Sequence, residues 1–237
     1  MEVVEARARR GRDGHRSVPA EGRYRLTRAC LERLGDAHTP IHLITRGPLI
    51  FRDVDVLAEA AQRARVTITF SVPTVDPDVW RRTEPGTAPP AKRLEALRRL
   101  VAAGFDVGIG MAPILPGLSD APEQLEAVVR AAREAGATGA WANLLYLRPG
   151  TREHFLGQLA RDWPELLPRY EGLYAGRAYL PKDETEPVRR TVRELVRRHE
   201  LRDRRTVRLA PAPEPEQLTF PLAPGEPASP TVPSGPA

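Results

Sequence analysis

Four short apolar runs, separated by longer stretches of helical periodicity, constrain this chain more than any other feature of its sequence. Ile41–Thr45, Val66–Ser71, 107–112 and 140–147 read as buried strands. Between the first two, residues 53–64 bring Val56, Leu57, Ala60 and Ala64 to one helix face. Residues 91–103 do the same with Leu94, Leu97, Leu100 and Val101, and Gly104 closes that helix. Before the fourth strand, Asp120 and Glu123 predict a capping box with Pro122 in the first turn, and Leu125, Val128, Val129 and Ala132 form the stripe. Strands of this length alternating with such helices require βα crossovers, and so a parallel sheet.

The flanks differ. A helix over 22–34 is predicted, with Tyr24, Thr27, Leu31 and Leu34 inward and Gly35 as its stop. After Thr151 the pattern is helical but irregular, and a last amphipathic helix over 186–201 carries Val188, Val192, Leu195 and Val196. Residues 1–20 are polar, Arg-rich and without period, and 210–237 are dominated by Pro, Ala, Glu and Ser, so both are expected to be disordered. The expected organisation is an atypical terminus (1–20), a βα unit (21–181), a C-terminal helix (182–209) and a Pro-rich tail (210–237).

Cys30 is the only cysteine, which excludes an intrachain disulfide, a zinc knuckle and a self-contained cysteine-ligated cluster. Its place in an apolar helical stretch predicts core packing. Net charge is +5, but all except two of the 36 basic residues are arginines and most alternate with acids on helix faces. Charge alone therefore supports nucleic-acid contact only weakly. No apolar run approaches the ~20 residues of a membrane span and the first residues lack a signal peptide's apolar stretch, so a cytoplasmic location is expected. Asp76 and Asp78 read as turn and N-cap residues, and His42 and His154 as structural.

Alternation divides each strand into two faces. Val66, Ile68 and Phe70 suit packing under helices, whereas Thr67, Thr69 and Ser71 suit a polar interior. The next strand offers Gly108, Gly110 and Ala112 on the matching face, and the fourth places Asn143 between Trp141 and Leu145. Barrel interiors are ordinarily filled by bulky branched side chains. Hydroxyls and glycines on adjacent strands instead predict a ligand cavity; the competing reading is that they make room for large neighbouring side chains.

At this point the residues resemble a family. The strand end Phe70-Ser71, then Glu84-Pro85-Gly86-Thr87, Lys92-Arg93-Leu94-Glu95-Ala96, Ala103-Gly104, Ala112-Pro113 with Pro116-Gly117, and Leu147-Arg148-Pro149-Gly150 are similar to the radical-SAM branch that contains spore photoproduct lyase. The likeness runs from about Pro19 to Pro181. It implies an incomplete TIM-type βα barrel of six units, with the strands seen here as the third to the sixth. It also implies a four-iron cluster that reduces S-adenosylmethionine to a radical abstracting hydrogen from substrate, and a DNA-repair lyase-like chemistry. On that basis Ser71 would help hold the methionine moiety, while Gly110 and Ala112 would face the adenosine.

Two departures qualify the resemblance. The family's C-x-x-x-C-x-x-C motif and first two βα units are absent, and Phe70 stands where spore photoproduct lyases can carry a hydrogen-donating cysteine. The expectation is a fragment or degenerate form of a radical S-adenosylmethionine enzyme, not catalytic alone. A nucleotide- or S-adenosylmethionine-binding module and one half of a split enzyme, completed by a chain supplying the missing units, remain open. The strand Ile41–Thr45 is expected at an exposed edge.

Overall fold

The computed structural model describes residues 20–203. The readings for 1–19 and 204–237, the Pro-rich tail among them, lie outside the described residues.

Two helices open the described chain, α1 (Ala20–Tyr24) and α2 (Leu26–Asp36), separated by Arg25 in the left-handed region at φ 52°. β1 (Ile41–Thr45) leads through a 3-10 turn to α3 (Val54–Arg63), and β2 (Val66–Ser71) through α4 (Pro77–Thr83) to α5 (Pro90–Ala102). β3 (Asp106–Ile114), α6 (Pro122–Glu134) and β4 (Gly139–Leu144) complete the repeat. α7 (Thr151–Asp162), α8 (Leu167–Leu173), α9 (Lys182–Arg198) and the two-residue β5 (Arg202–Asp203) follow.

All strand pairs are parallel, in the order β1-β2-β3-β4-β5. No pairing joins β1 to β5, so the sheet is an open part of a barrel among the described residues. Ile41 lies opposite Val66, Ser71 opposite Gly110, and Gly110 opposite Trp141. That register puts Val66, Ile68, Phe70, Val107, Ile109, Met111, Ala140 and Ala142 on one face. They form the main core with Leu57, Leu97, Leu100, Leu125, Val129, Val192 and Val196 from the helices. A second cluster, including Leu115, Leu118, Leu147, Leu159, Tyr170 and Tyr174, gathers the segments after β3 and β4 with α7 and α8. It therefore sits at the carboxyl end of the sheet.

Several expectations are corrected. Gly35 does not stop its helix: it lies inside α2, where an added Cβ would come within 3.2 Å of the Ala60 Cβ, so it permits close approach of α2 to α3. Burial on α2 centres on Leu31 and Gly35, leaving Tyr24 and Leu34 exposed. Cys30 is exposed, one position off that stripe, and is not a core residue. Asp120 does not cap α6. Its carboxylate accepts from the Gly117 N–H at 2.7 Å, while Gln124 accepts from the Ala121 N–H and donates to the Leu118 carbonyl. Asp76 does cap α4, accepting from the Asp78 and Val79 amides. α9 starts at Lys182, four residues before the predicted start, with Asp183 and Glu184 favouring its N-terminus. Pro113, which could not donate to a regular central ladder, falls where the β3–β4 register shifts between Met111 and Ile114.

Candidate functional site

Ligands of βα sheets bind at the carboxyl ends of the strands. Here β2 ends at Ser71, whose hydroxyl donates to the Ala112 carbonyl at 3.1 Å. Ser71 pairs in register with Gly110, so the sheet brings Ser71, Gly110 and Ala112 together across β2 and β3.

The space above Gly110 is not the open cavity that the strand faces suggest. An added Cβ at Gly110 would lie 2.7 Å from Cζ2 of Trp141, so the indole already rests on the glycine. Thr67 and Thr69 are buried, and Thr69 Oγ1 lies 3.0 Å from His42 Nε2. The small residues accommodate a large neighbour: Gly110 lacks a side chain where Trp141 needs the room.

Arg93 was not singled out by the helical pattern, which placed Leu94 inward. Arg93 is 0 % exposed, in the first turn of α5. Its guanidinium donates to the Ala88 and Ser71 carbonyls, each at 2.7 Å, and to Glu84 Oε2 and Thr87 Oγ1, each at 2.6 Å. It thereby ties the 84–88 turn to the end of β2. The signal was present in the sequence: Arg93 falls three and four residues before the buried Ala96 and Leu97, on the apolar stripe itself.

Beyond β4, Tyr146 and Tyr179 are 51 % and 60 % exposed, yet stack with ring centroids 5.5 Å apart. The Leu147 N–H donates to the Ala178 carbonyl at 2.8 Å and holds the two segments together. The Arg148 guanidinium lies 5.9 Å from the Tyr146 centroid and 3.5 Å from the Tyr179 hydroxyl. Deeper, Tyr174 donates to the Leu145 carbonyl at 2.7 Å, whereas the buried Tyr170 hydroxyl has no partner among the described residues. Burial pushes both phenols above their ordinary range.

The donor set does not suit a four-iron cluster, which takes several thiolates. Cys30 is the one thiol in the chain, and it faces solvent from α2 in the helical layer. Among the described residues, no three His, Cys, Asp or Glu side chains are grouped to hold a metal ion. Nor is any described helix long and apolar enough to cross a membrane.

Comparison with known proteins adds the family. The family model of the Radical SAM superfamily matches residues 13–132. An uncharacterized protein of Mycobacterium tuberculosis is 39 % identical over 182 residues, covering 77 % of this chain and 54 % of that protein. An uncharacterized protein of Acidianus two-tailed virus is 29 % identical over 134 residues, 55 % of this chain and 44 % of that protein. The chain thus spans about half the length of the curated relatives it matches. Among solved structures, spore photoproduct lyase superposes with TM-score 0.51 at 17 % identity, over 73 % of this chain and 52 % of its own. A variant of that enzyme with bound S-adenosylmethionine and dinucleoside spore photoproduct also gives 0.51, at 14 % identity and the same coverage. At such identities the likeness is one of fold: an incomplete parallel βα barrel. Together with the family match over half its length, the sheet identifies this chain as a member of the radical SAM superfamily.

Proposed function

We propose that this chain supplies the ligand-positioning βα units of a radical SAM enzyme and holds no cluster by itself, the cluster cysteines coming from a polypeptide segment not in this sequence. One observation carries the reading: a radical-SAM sheet whose only thiol is exposed on α2. When bound, S-adenosylmethionine would supply the radical chemistry. This chain's contribution would be to orient it, with Ser71 near the methionine moiety and Gly110 and Ala112 near the adenosine. Trp141 would have to move aside or stack on the adenine.

The test is iron and sulfide reconstitution. The chain alone is expected to show no cluster absorption and no cleavage of S-adenosylmethionine. Co-expression with a polypeptide carrying C-x-x-x-C-x-x-C and two further βα units should restore both. Stoichiometric four-iron incorporation by this chain alone would overturn the proposal.

The exposed Tyr146–Tyr179 stack beside Arg148 favours a second reading, contact with single-stranded nucleic acid at the carboxyl end of β4. Bases stack on such rings with about 1–3 kcal/mol each. Tyr179→Ala should weaken binding of a short fluorescent oligonucleotide by about that amount. Unchanged anisotropy titrations would remove this reading and leave the first standing.

A further inference from the structure

α2 has two flanks of opposite chemistry. On one, Arg28 donates to both carboxylate oxygens of Asp55 on α3, at 2.8 and 2.6 Å, and Asp36 accepts from Arg63 at 3.2 Å. Leu31 and Gly35 turn to the core, where Gly35 meets Ala60. The other flank carries Leu26, Cys30 and Leu34, which recur every four residues and so share one face, turned away from α3. All three are exposed, and the row they form contains no charge.

This flank is part of a wider asymmetry. Among the described residues, five of the seven exposed large apolar side chains fall within 24–49: Tyr24, Leu26, Leu34, Ile44 and Leu49. The other two, Tyr146 and Tyr179, stack on each other. The exposed apolar surface is thus gathered around β1, whose outer edge has no strand neighbour among the described residues. Apolar surface concentrated in this way marks an interaction site. What fits there follows from the repeat. Each strand is preceded by a helix: α2 before β1, α3 before β2, α5 before β3, α6 before β4 and α9 before β5. α3 packs beside α2 as β2 pairs beside β1. A further strand paired in parallel with β1, through the same right-handed crossovers, places its own preceding helix against the free flank of α2.

We infer that the Leu26–Cys30–Leu34 flank is a docking surface for one such helix, amphipathic and with an uncharged apolar stripe, from a segment that also pairs its strand with β1. This rests on the reading that a further polypeptide segment completes the barrel, but not on cluster chemistry. The probe is the part of the Mycobacterium tuberculosis relative outside the 182 matched residues, co-expressed with the full chain. Cys30 is the only thiol of this chain, so its alkylation by N-ethylmaleimide, read by mass spectrometry of its own peptide, reports on this flank. Cys30 should react readily in the chain alone and lose that reactivity in the complex. Leu26→Glu and Leu34→Glu should each weaken the complex at least about tenfold, since each sets a charge against an apolar helix. Arg98→Gln, on an exposed face of α5, should not. Thermal unfolding of the three variants alone should match the parent, because all three side chains are exposed. No complex, or a complex in which Cys30 still reacts at the parent rate, would overturn the inference. So would protection of Cys30 in the chain alone that grows with its concentration and is lost in Leu34→Glu, which would assign the face to a second copy. A complex that slows exchange at β1 and binds a cluster while Cys30 stays reactive would leave the proposed function standing without this inference. Protection of Cys30 in a complex that binds no cluster would do the reverse.

Discussion

Gly110 shows how a single hydrogen atom in place of a side chain can decide what occupies a sheet. With the Trp141 ring already against its Cα, Gly110→Ala must displace the indole or the strand. Overpacking of this kind costs roughly 1–3 kcal/mol. Urea unfolding of Gly110→Ala should show that loss, and Trp141→Ala combined with it should cost less than the sum of the two single changes; simple additivity would mean the contact is not made. The two buried tyrosines make a second case. Tyr170→Phe removes a hydroxyl with no described partner and should leave the melting temperature unchanged or raise it. Tyr174→Phe breaks the bond to the Leu145 carbonyl and should cost about 1 kcal/mol. Both phenols hold their protons more tightly when folded than the ordinary tyrosine with pKa about 10. The folded state then binds more protons than the unfolded one at alkaline pH, so stability is intact below about pH 10 and falls as the pH rises beyond it. The double Phe variant should flatten that decline, and an alkaline limb that persists unchanged would assign it elsewhere. The tyrosine contacts were not legible beforehand, and the packing on Gly110 was present only as the competing reading, that small strand residues make room for large neighbours. Alternation says which face Gly110 and Trp141 share, but not that one side chain lies over the other.

At the scale of elements the sequence was more transparent. Strands β1 and β2 fall where apolar runs placed them, because their helix-facing residues are the core itself. Helix phase was harder at the margins. Leu31 was identified, but its neighbour Cys30 was assigned to the core when the stripe runs through Gly35 to meet Ala60. Counting apolar residues could not show that a glycine served as a contact surface. Arg93 was missed for the converse reason, since a cation on an apolar stripe looks like an error in phase until its four acceptors are seen. β1 supplies the prediction at this scale. β2 has strand neighbours on both sides, whereas β1 has one on only a single side among the described residues. Amide hydrogen exchange should therefore be faster across Ile41–Thr45 than across Val66–Ser71, and should slow when the further βα units are co-expressed. Equal protection in the isolated chain would mean that another part of it shields β1.

For the whole molecule, the two sides of the sheet are unequal. On the β4 side, α9 joins the main core through Val192 and Val196 and β5 adds two residues of parallel pairing. On the other side lies β1, with the apolar Ile44 half exposed. The sheet was readable because repeated βα units write their period into the chain, and the family only through the resemblance of motifs such as Phe70-Ser71 and Leu147-Arg148-Pro149-Gly150; what lies beyond β1 was not, since a strand's edge carries no record of its neighbour's sequence. The parallel order has a consequence for symmetry. Two copies of this chain that met through β1 about a two-fold axis would run antiparallel. Such a pair could hide the strand, yet it would set the two carboxyl ends facing opposite ways and could never continue the barrel. Such a homodimer and any segment that continued the parallel sheet at β1 would thus be mutually exclusive occupants of one rim, competing for it by mass action.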